Sequence, residues 1–302
     1  MKDQADLSDQ AKRTRVSEIR WMALAEILTG TTGLDARAYR AEIETLKRRP
    51  LSTEWIEANV MLSFIAQVRP SRTTGYLARL RSRAEQEGRM AEFAEFDRRL
   101  RAYIAPKVLT NHAFRDGNFS TEDHGAIWAG VTAHMVTLGS LGYEAFLNSG
   151  TLLGVVRDGK LIDHDDDVDL AVLLRAADAE AAALEWTALK EKLREAGALD
   201  PEQIDKPQIC KLKRIGGVEV DLFPAWQQAG RFYVYPHTHG DLDAADVLPL
   251  RPAPHGPFTL PAQPEKMLSV NYGAGWREPD PLFKFPWAEA DAKFAPFLER
   301  LS

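Results

Sequence analysis

Two patterns of apolar residues predict an α/β (α+β) protein in which a mixed sheet domain follows an all-helical N-terminal region. Residues 17–103 carry apolar side chains at helical spacing. From about residue 122, short apolar runs alternate with helical patterns, as expected where strands alternate with helices. A polar, turn-rich stretch at 105–123 separates the two patterns. We therefore predict a helical region at 1–105 and a sheet domain at 106–302.

The helical region divides at residues that end helices. Gly30 stops the first helix, Arg69-Pro70 ends the third, and Gly88 separates the last two. The predicted helices cover about 17–29, 35–49, 53–68, 72–87 and 89–103. Arginine-rich faces, such as the one with Arg79, are expected to be solvated. A docking surface for a partner or an acidic acceptor is the alternative.

The second region alternates helices and strands. We predict helices at about 122–140, 150–157 and 177–196, and strands at 143–147, 166–174, 209–214 and 217–223. From residue 246 onward the sequence is rich in proline and aromatic residues. That composition predicts ordered loops that wrap the domain, with one helix near 264–271.

Charge is distributed unevenly along the chain. Residues 1–110 hold 20 Lys and Arg against 15 Asp and Glu, whereas residues 111–302 hold 18 against 29. Phosphate backbones are bound by clustered Lys and Arg, so the acidic second part argues against nucleic acid as a partner. A cluster of carboxylates can instead hold a divalent cation.

Composition also bears on the compartment. No stretch reaches the roughly 18 apolar residues of a membrane span, and the polar first residues lack the apolar core of a signal peptide. Cys210 is the one cysteine, which excludes an internal disulfide and predicts a buried thiol. We expect a cytoplasmic protein, and the sequence leaves its oligomeric state open.

The stretch 147–173 carries the first chemical signal. The predicted strand at 143–147 is followed by Gly150-Thr151 at the start of a predicted helix. Glycine lets the backbone approach a ligand closely, and the free N–H groups at a helix N-terminus suit an anion such as phosphate. By itself this signal is weak, because glycine turns between a strand and a helix are common.

The aspartates that follow are more specific. Residues two apart in a strand share a face, so Asp167 and Asp169 point together while Val168 and Leu170 face the core. Asp165 joins them if the strand starts early enough. Carboxylates this close repel one another unless a cation compensates, and Mg²⁺ or Mn²⁺ prefers such oxygen ligands. We therefore predict a metal site.

Two other interpretations explain these aspartates less well. A calcium loop of the EF-hand type that starts at Asp165 would need Gly at its sixth position and Glu at its twelfth. Leu170 and Ala176 stand there instead. A solvated acidic loop accounts for residues 163–166, but it does not explain a carboxylate inside the apolar run that follows.

A second predicted strand supplies another acid. Asp221 lies between Val220 and Leu222, and Glu219 shares its face as the local competitor. In sites built on two strands, such an acid completes the metal shell or takes the proton of the attacking hydroxyl. Among nearby cations, Lys211 is expected to face the site. Arg157 is placed to reach a phosphate or to pair with Asp163 or Asp166.

Two histidines are less informative. His237 and His239 are two residues apart, which could suggest a metal. Their predicted loop context and the lack of a third ligand favour solvated or structural side chains.

Four motifs, in order over about 130 residues, resemble the LicD/fukutin family of the nucleotidyltransferase fold. They are Gly-Thr-Leu-Leu-Gly followed by an Arg, an acidic run, an Asp-Leu-Phe-Pro strand and a closing Tyr-Gly…Trp…Pro signature. Here they lie at 150–154 with Arg157, 164–169, 221–224 and 272–279. His164 stands where the family usually has Trp. The resemblance covers about 125–280 and excludes the N-terminal helices.

The resemblance implies transfer of a phospho-alcohol, such as phosphocholine, ribitol phosphate or glycerol phosphate. The donor would be a CDP-activated alcohol, the acceptor a glycan or glycolipid hydroxyl such as that of a lipopolysaccharide precursor, and CMP would leave. Asp165, Asp167 and Asp169 would hold Mg²⁺ or Mn²⁺, with Asp221 as a further ligand or the general base. Gly150 and Thr151 would hold donor phosphate.

Two other functions stay open at this point. A nucleotidyltransferase would move NMP from an NTP, and pyrophosphate would leave. A non-catalytic binding module would use its Arg-rich helices to recruit a partner, but the intact set of aspartates argues against it.

Overall fold

The computed structural model describes residues 8–110, 113–117, 119–120, 122–204, 206–254, 256–280, 282–283 and 285–301. The chain divides into two compact units. The first consists of Met1–Asn118 with Pro281–Lys284, and the second of Phe119–Asp280 with Phe285–Ser302. Helices come first along the chain and a mixed sheet follows, which confirms the predicted fold class. The division into a helical region at 1–105 and a sheet domain at 106–302 stays a prediction.

The described residues of the first unit form five helices and a short antiparallel hairpin. They are α1 (Asp9–Thr29), α2 (Ala36–Thr45), α3 (Thr53–Ala66), α4 (Pro70–Gln86), α5 (Met90–Ile104), β1 (Val108–Leu109) and β2 (Phe114–Arg115). Helix α3 lies at the centre of the unit, because most of its side chains are buried. Helix α1 begins eight residues before the predicted start, since the Ser8 hydroxyl accepts the Ala11 N–H and caps it.

In the second unit, the helices and strands are α6 (His124–Ser140), β3 (Ala145–Leu147), α7 (Ser149–Arg157), β4 (Asp167–Leu173), α8 (Ala179–Glu195), β5 (Cys210–Ile215), β6 (Val218–Gln228), β7 (Arg231–Val234), β8 (Thr238–Asp243), α9 (Ala244–Val247), β9 (Arg251–Pro252), β10 (Thr259–Leu260), α10 (Pro264–Tyr272), α11 (Trp287–Lys293) and α12 (Ala295–Leu301). The short strands β9 and β10 pair with each other. The other strands form the mixed sheet.

Strands β4 and β6 form the centre of this sheet. They run parallel, and β3 pairs antiparallel with the other edge of β4. The far edge of β6 is shared by two antiparallel strands, β5 along its first half and β7 along its second, and β8 follows β7. Val168 and Leu170 are fully buried, as predicted. Cys210 is also buried, which raises the pKa of its thiol to about 12.

The structure corrects the prediction for the last part of the chain. Strands β7 and β8 were not predicted, and one helix among loops was expected after residue 246. The described residues contain two further helices there, α11 and α12. Each has seven residues, which is too short to show a clear apolar period. Phe294 and Phe297 of this region pack against the buried Trp226 ring, with centroids 5.8 and 5.2 Å away.

Within the described residues, no helix combines the length and the apolar character that a membrane crossing needs.

The second glycine of the Gly-Thr-Leu-Leu-Gly motif is required by packing. A Cβ at Gly154 would lie 2.5 Å from the carbonyl oxygen of Lys160 and 2.9 Å from the amide nitrogen of Ile162. Both atoms belong to the backbone and have little freedom to move. Glycine at this position therefore lets the loop after α7 fold back against the helix.

We expect Gly154→Ala to destabilise the protein by about 1–3 kcal/mol, since an added methyl group overpacks a closed site. Gly139→Ala is the matched control, because nothing lies within 4 Å of the Cβ that it adds to α6. That control should stabilise the helix by about 0.5–1 kcal/mol. Urea unfolding measures both changes, and equal effects would contradict the packing role of Gly154.

Candidate metal centre

Parallel pairing of β4 with β6 brings the predicted acids together. Asp169 is the register partner of Asp221, and Asp167 is the partner of Glu219. Paired residues on adjacent strands share a face of the sheet. On the other side of β6, Lys211 is the partner of Asp221. Asp169, Asp221 and Lys211 therefore form one row across β4, β6 and β5.

The acids form two overlapping groups with the spacing of metal ligands. Asp167, Asp169 and Asp221 each offer an oxygen within 4.8 Å of the others, and Asp165, Asp166 and Asp167 do the same. Asp167 belongs to both groups. Together these five acids form a largely buried cluster that can hold a metal ion, as the sequence predicted for four of them.

Asp166 is the member of the cluster that was not predicted as a site residue from the sequence. It is 5 % exposed and precedes β4 directly. The strand alternation used for Asp167 and Asp169 starts only at residue 167, so it cannot assign a direction to Asp166. Asp165 also lies before the strand, and its Oδ1 accepts the N–H of Asp166 at 3.2 Å. The turn, and not the strand, places both side chains.

Gly150 and Thr151 hold Asp169 in place. The Gly150 N–H donates to Asp169 Oδ2 at 3.2 Å, and the Asp169 N–H donates to the Thr151 hydroxyl at 2.9 Å. A Cβ at Gly150 would lie 2.6 Å from Asp165 Oδ2, so glycine also makes room for that carboxylate. These contacts give both residues a role in shaping the cluster. Their predicted contact with donor phosphate stays a prediction.

Burial and mutual repulsion disfavour negative charge in this cluster. The pKa of Asp165 and that of Asp169 are both raised well above the ordinary value, first by burial and then by the charges of neighbouring aspartates, with Asp167 foremost. Burial also raises the pKa of Asp221, although Lys211 opposes the shift. Without a cation, the proximity of these charges destabilises the folded chain.

Lys211 reaches the cluster through Asp221. Its Nζ donates to Asp221 Oδ1 at 2.8 Å and to Glu219 Oε2 at 2.5 Å, and its side chain is 9 % exposed. These two carboxylates raise the pKa of the ammonium group against the opposing effect of burial. Lys211 therefore stays charged and fixes one oxygen of Asp221, which leaves the second oxygen of that carboxylate for another partner.

The ion-pair partner of Arg157 is Asp158, and not Asp163 or Asp166 as the sequence suggested. Its guanidinium donates twice to Asp158, from Nε at 2.9 Å and from Nη2 at 2.8 Å. Asp163 pairs with Lys160 at 2.6 Å. The side chain of Arg157 is nonetheless 9 % exposed, and its charge acts on the phenol of Tyr272. Its contact with a phosphate stays a prediction.

Tyr272, the first residue of the closing Tyr-Gly…Trp…Pro signature, lies beside the acids. Burial raises the pKa of its phenol well above the ordinary value, and the charges of Asp169, Asp165 and Asp167 add to that shift. Tyr272 ends α10, about a hundred residues after the acidic run. Because that proximity comes from the tertiary fold, no local pattern in the sequence could have revealed it.

His237 is half-buried beside the strand-to-helix turn. Ser149, which adopts a left-handed conformation with φ 44°, has its hydroxyl 3.3 Å from His237 Nδ1. Burial lowers the pKa of His237 to about 3, so the ring is neutral. It packs 4.3 Å from the Phe285 ring centroid. His239 lies in β8 and not in a loop, 4.8 Å from the Phe294 ring.

The arrangement fits a divalent cation such as Mg²⁺ or Mn²⁺. All five acids offer hard oxygen ligands, and burial together with the neighbouring aspartates raises the pKa of Asp165 and that of Asp169. A cation would offset that repulsion. The electrostatics and the donor set therefore agree on a hard metal ion.

Part of the second unit is similar to a known protein family. Residues 142–264 match the family described as LicD/FKTN/FKRP, nucleotidyltransferase domain. The match contains all eight of the residues predicted for the site. Residues 142–264 are therefore similar to the nucleotidyltransferase domain of the LicD/fukutin family.

One relative is uncharacterized. The chain is 30% identical over 163 residues to the "Uncharacterized protein T07A5.1" of Caenorhabditis elegans, which is 47% of this chain and 40% of the relative. The chain therefore spans about two fifths of the length of that relative.

Replacing one buried acid should stabilise the metal-free protein. We expect Asp169→Asn to raise the free energy of unfolding in EDTA by about 1–3 kcal/mol at neutral pH. The amide removes a repelled charge and keeps an oxygen for the Gly150 N–H. Because the folded protein holds the Asp169 proton more tightly, wild-type stability falls as pH rises above 3.8, the ordinary value. The difference between the two proteins should vanish below that pH.

Thermal unfolding across this pH range, with and without Mg²⁺, provides the measurement. Mg²⁺ should stabilise the wild type and have much less effect on Asp169→Asn. A variant that is less stable than the wild type in EDTA at neutral pH would show that repulsion is not the dominant interaction.

Proposed function

We propose that the protein is a Mg²⁺-dependent phosphotransferase. It moves a phospho-alcohol, such as phosphocholine, ribitol phosphate or glycerol phosphate, from a CDP-activated donor to a hydroxyl of a glycan or glycolipid. The observation that carries this proposal is the set of aspartates that β4 and β6 bring together within a LicD-family domain.

Asp165, Asp167, Asp169 and Asp221 would hold the Mg²⁺ or Mn²⁺ ion, and Asp166 lies close enough to contribute. When bound, the ion supplies charge neutralisation for the donor pyrophosphate. Asp221 would act as a further ligand, because the ammonium of Lys211 lies 2.8 Å from one of its oxygens and leaves the other for the ion. Burial raises the pKa of Asp221 in spite of Lys211, so the carboxylate also suits the role of general base.

The proposed reaction breaks one bond and forms one. The acceptor hydroxyl oxygen attacks the phosphorus that carries the alcohol, and the bond from that phosphorus to the bridging oxygen breaks. CMP leaves with the bridging oxygen, and the acceptor proton passes to a carboxylate of the cluster or to water. Since the protein forms no covalent bond in this scheme, its contribution is positioning and charge compensation.

The remaining site residues would act on the donor. Gly150 and Thr151 hold Asp169, and they lie at the start of α7, where backbone N–H groups favour an anion. Arg157, at the end of the same helix, would contribute positive charge toward the donor phosphates. Lys211 would keep Asp221 oriented.

A nucleotidyltransferase is the second candidate, because the description of the matching family names that domain. Such an enzyme would use the same aspartates to move NMP from an NTP. Its leaving group would be pyrophosphate instead of CMP, which separates the two functions in one assay. A binding module without catalysis is disfavoured, since buried acids that repel one another destabilise a fold that makes no use of them.

The compartment and the partners follow from the same proposal. A CDP-alcohol is the donor and a glycan or glycolipid the acceptor, and nucleic acid is not a substrate. The cytoplasm is the proposed location, supported by Cys210, a buried thiol that suits a reducing compartment.

We expect Asp167→Asn to lower the rate of CMP release by about 100-fold or more, because it removes the acid that both metal groups share. The assay incubates the protein with a panel of CDP-alcohols, a glycan acceptor and saturating Mg²⁺, and separates CMP by chromatography. Asp163→Asn is the matched control, since Asp163 is exposed and pairs with Lys160. It should retain wild-type activity.

The same assay is run with NTPs and scored for pyrophosphate. Release of pyrophosphate without CMP from any CDP-alcohol would replace the first function with the second. CMP release that Asp167→Asn leaves unchanged would refute the proposed active site.

A further inference from the structure

A basic pocket lies within the helical unit, between α4 and the segment that joins α2 to α3. Its volume is about 750 Å³, which is in the range of sites for small molecules. Four cations line it: Lys47 and Arg49 from the connecting segment, and Arg79 and Arg83 from α4. None of these residues belongs to the proposed active site.

Helical spacing places one wall of the pocket. Tyr76, Arg79 and Arg83 are three and four residues apart along α4, so they lie on one face of the helix. Arg83 also joins this face to the segment before α3. Its Nη2 donates to the carbonyl of Leu51 at 2.6 Å, and its Nη1 donates to the hydroxyl of Thr53 at 3.0 Å. The two walls are therefore held together by hydrogen bonds.

Positive charge in the pocket is poorly compensated. Arg49 and Arg79 are exposed, and neither forms a hydrogen bond or ion pair with the residues that the structure describes. Lys47 has one carboxylate near it, that of Glu44 at 3.9 Å. Like charges that converge on one cavity repel one another and attract an anion.

The rest of the pocket is apolar and rigid. Pro50, Leu51 and the ring of Tyr76 line it. The Tyr76 hydroxyl accepts a hydrogen bond from Arg72 Nε at 3.0 Å, and its ring meets the Trp55 ring edge to face at 5.6 Å. These contacts fix the ring, so the pocket offers a flat aromatic surface beside its cations.

We propose that this pocket binds a small phosphorylated molecule, with the phosphate held by Arg49 and Arg79 and the organic part packed against Tyr76 and Leu51. A phosphate monoester carries nearly two negative charges and three acceptor oxygens. It can therefore accept hydrogen bonds from several guanidinium groups, more than a single carboxylate can. A sugar ring is the size of group that the apolar wall can cover. This site would give the helical unit a binding role of its own.

Isothermal titration of the full chain with ribose phosphate tests the proposal. The titration is done in EDTA, where the uncompensated aspartates of the second unit repel an anion. Neutral ribose and vesicles that contain phosphatidic acid are the other two probes. We expect ribose phosphate to bind and ribose not to bind, and Asp167→Asn should leave the affinity unchanged.

The double variant Arg49→Gln/Arg79→Gln should weaken ribose phosphate binding by about tenfold or more, because it removes two charge-assisted contacts. The control, Arg98→Gln/Arg101→Gln, removes the same charge from α5, where the two arginines pair with Glu95 and Asp97. It should bind as the wild type does. Far-UV circular dichroism verifies that both variants keep their helices.

Three results would overturn the proposal. The first is that the wild type does not bind ribose phosphate. The second is that the Arg49/Arg79 variant binds ribose phosphate as tightly as the wild type does. The third is that the wild type binds the vesicles but not ribose phosphate. The last would assign the basic surface to a lipid headgroup instead of a small molecule. None of these results depends on the function of the aspartate cluster.

Discussion

Repulsion among buried aspartates is the main physical constraint on the candidate site of the second unit. Parallel pairing of β4 with β6 sets Asp169 beside Asp221, and the turn before β4 adds Asp165 and Asp166. A fold gains nothing from such an arrangement in isolation, because each carboxylate loses water and faces others of the same charge. A bound cation would reverse that balance, so the arrangement supports the proposed metal site.

Much of the surrounding structure serves to keep this cluster in place. Gly150 donates its N–H to Asp169 and leaves space for Asp165, while Gly154 lets the following loop close against α7. Lys211 supplies the one ammonium in direct contact with Asp221 among the described residues. The first glycine of the Gly-Thr-Leu-Leu-Gly motif thus allows close approach to the acids, and the second glycine allows close packing.

Features that depend on local periodicity could be predicted from the sequence, whereas features that depend on tertiary contacts could not. Alternation along β4 placed Asp167 and Asp169 on one face, and the apolar neighbours of Asp221 marked a second strand. The proximity of Tyr272 to the acids depends on how separate segments meet, and no pattern within one segment encodes it. The short helices α11 and α12 were missed because seven residues complete barely two turns.

Binding of Mn²⁺, followed by electron paramagnetic resonance, tests most directly whether the acids of two strands form one metal site. The account predicts that the wild type binds the ion and that Asp221→Asn weakens binding by about tenfold or more, although residue 221 lies in a different strand from the acidic run. Asp163→Asn, an exposed acid next to that run, should bind as the wild type does. Equal affinity of Asp221→Asn and the wild type would contradict a shared site, and so would the absence of Mn²⁺ binding.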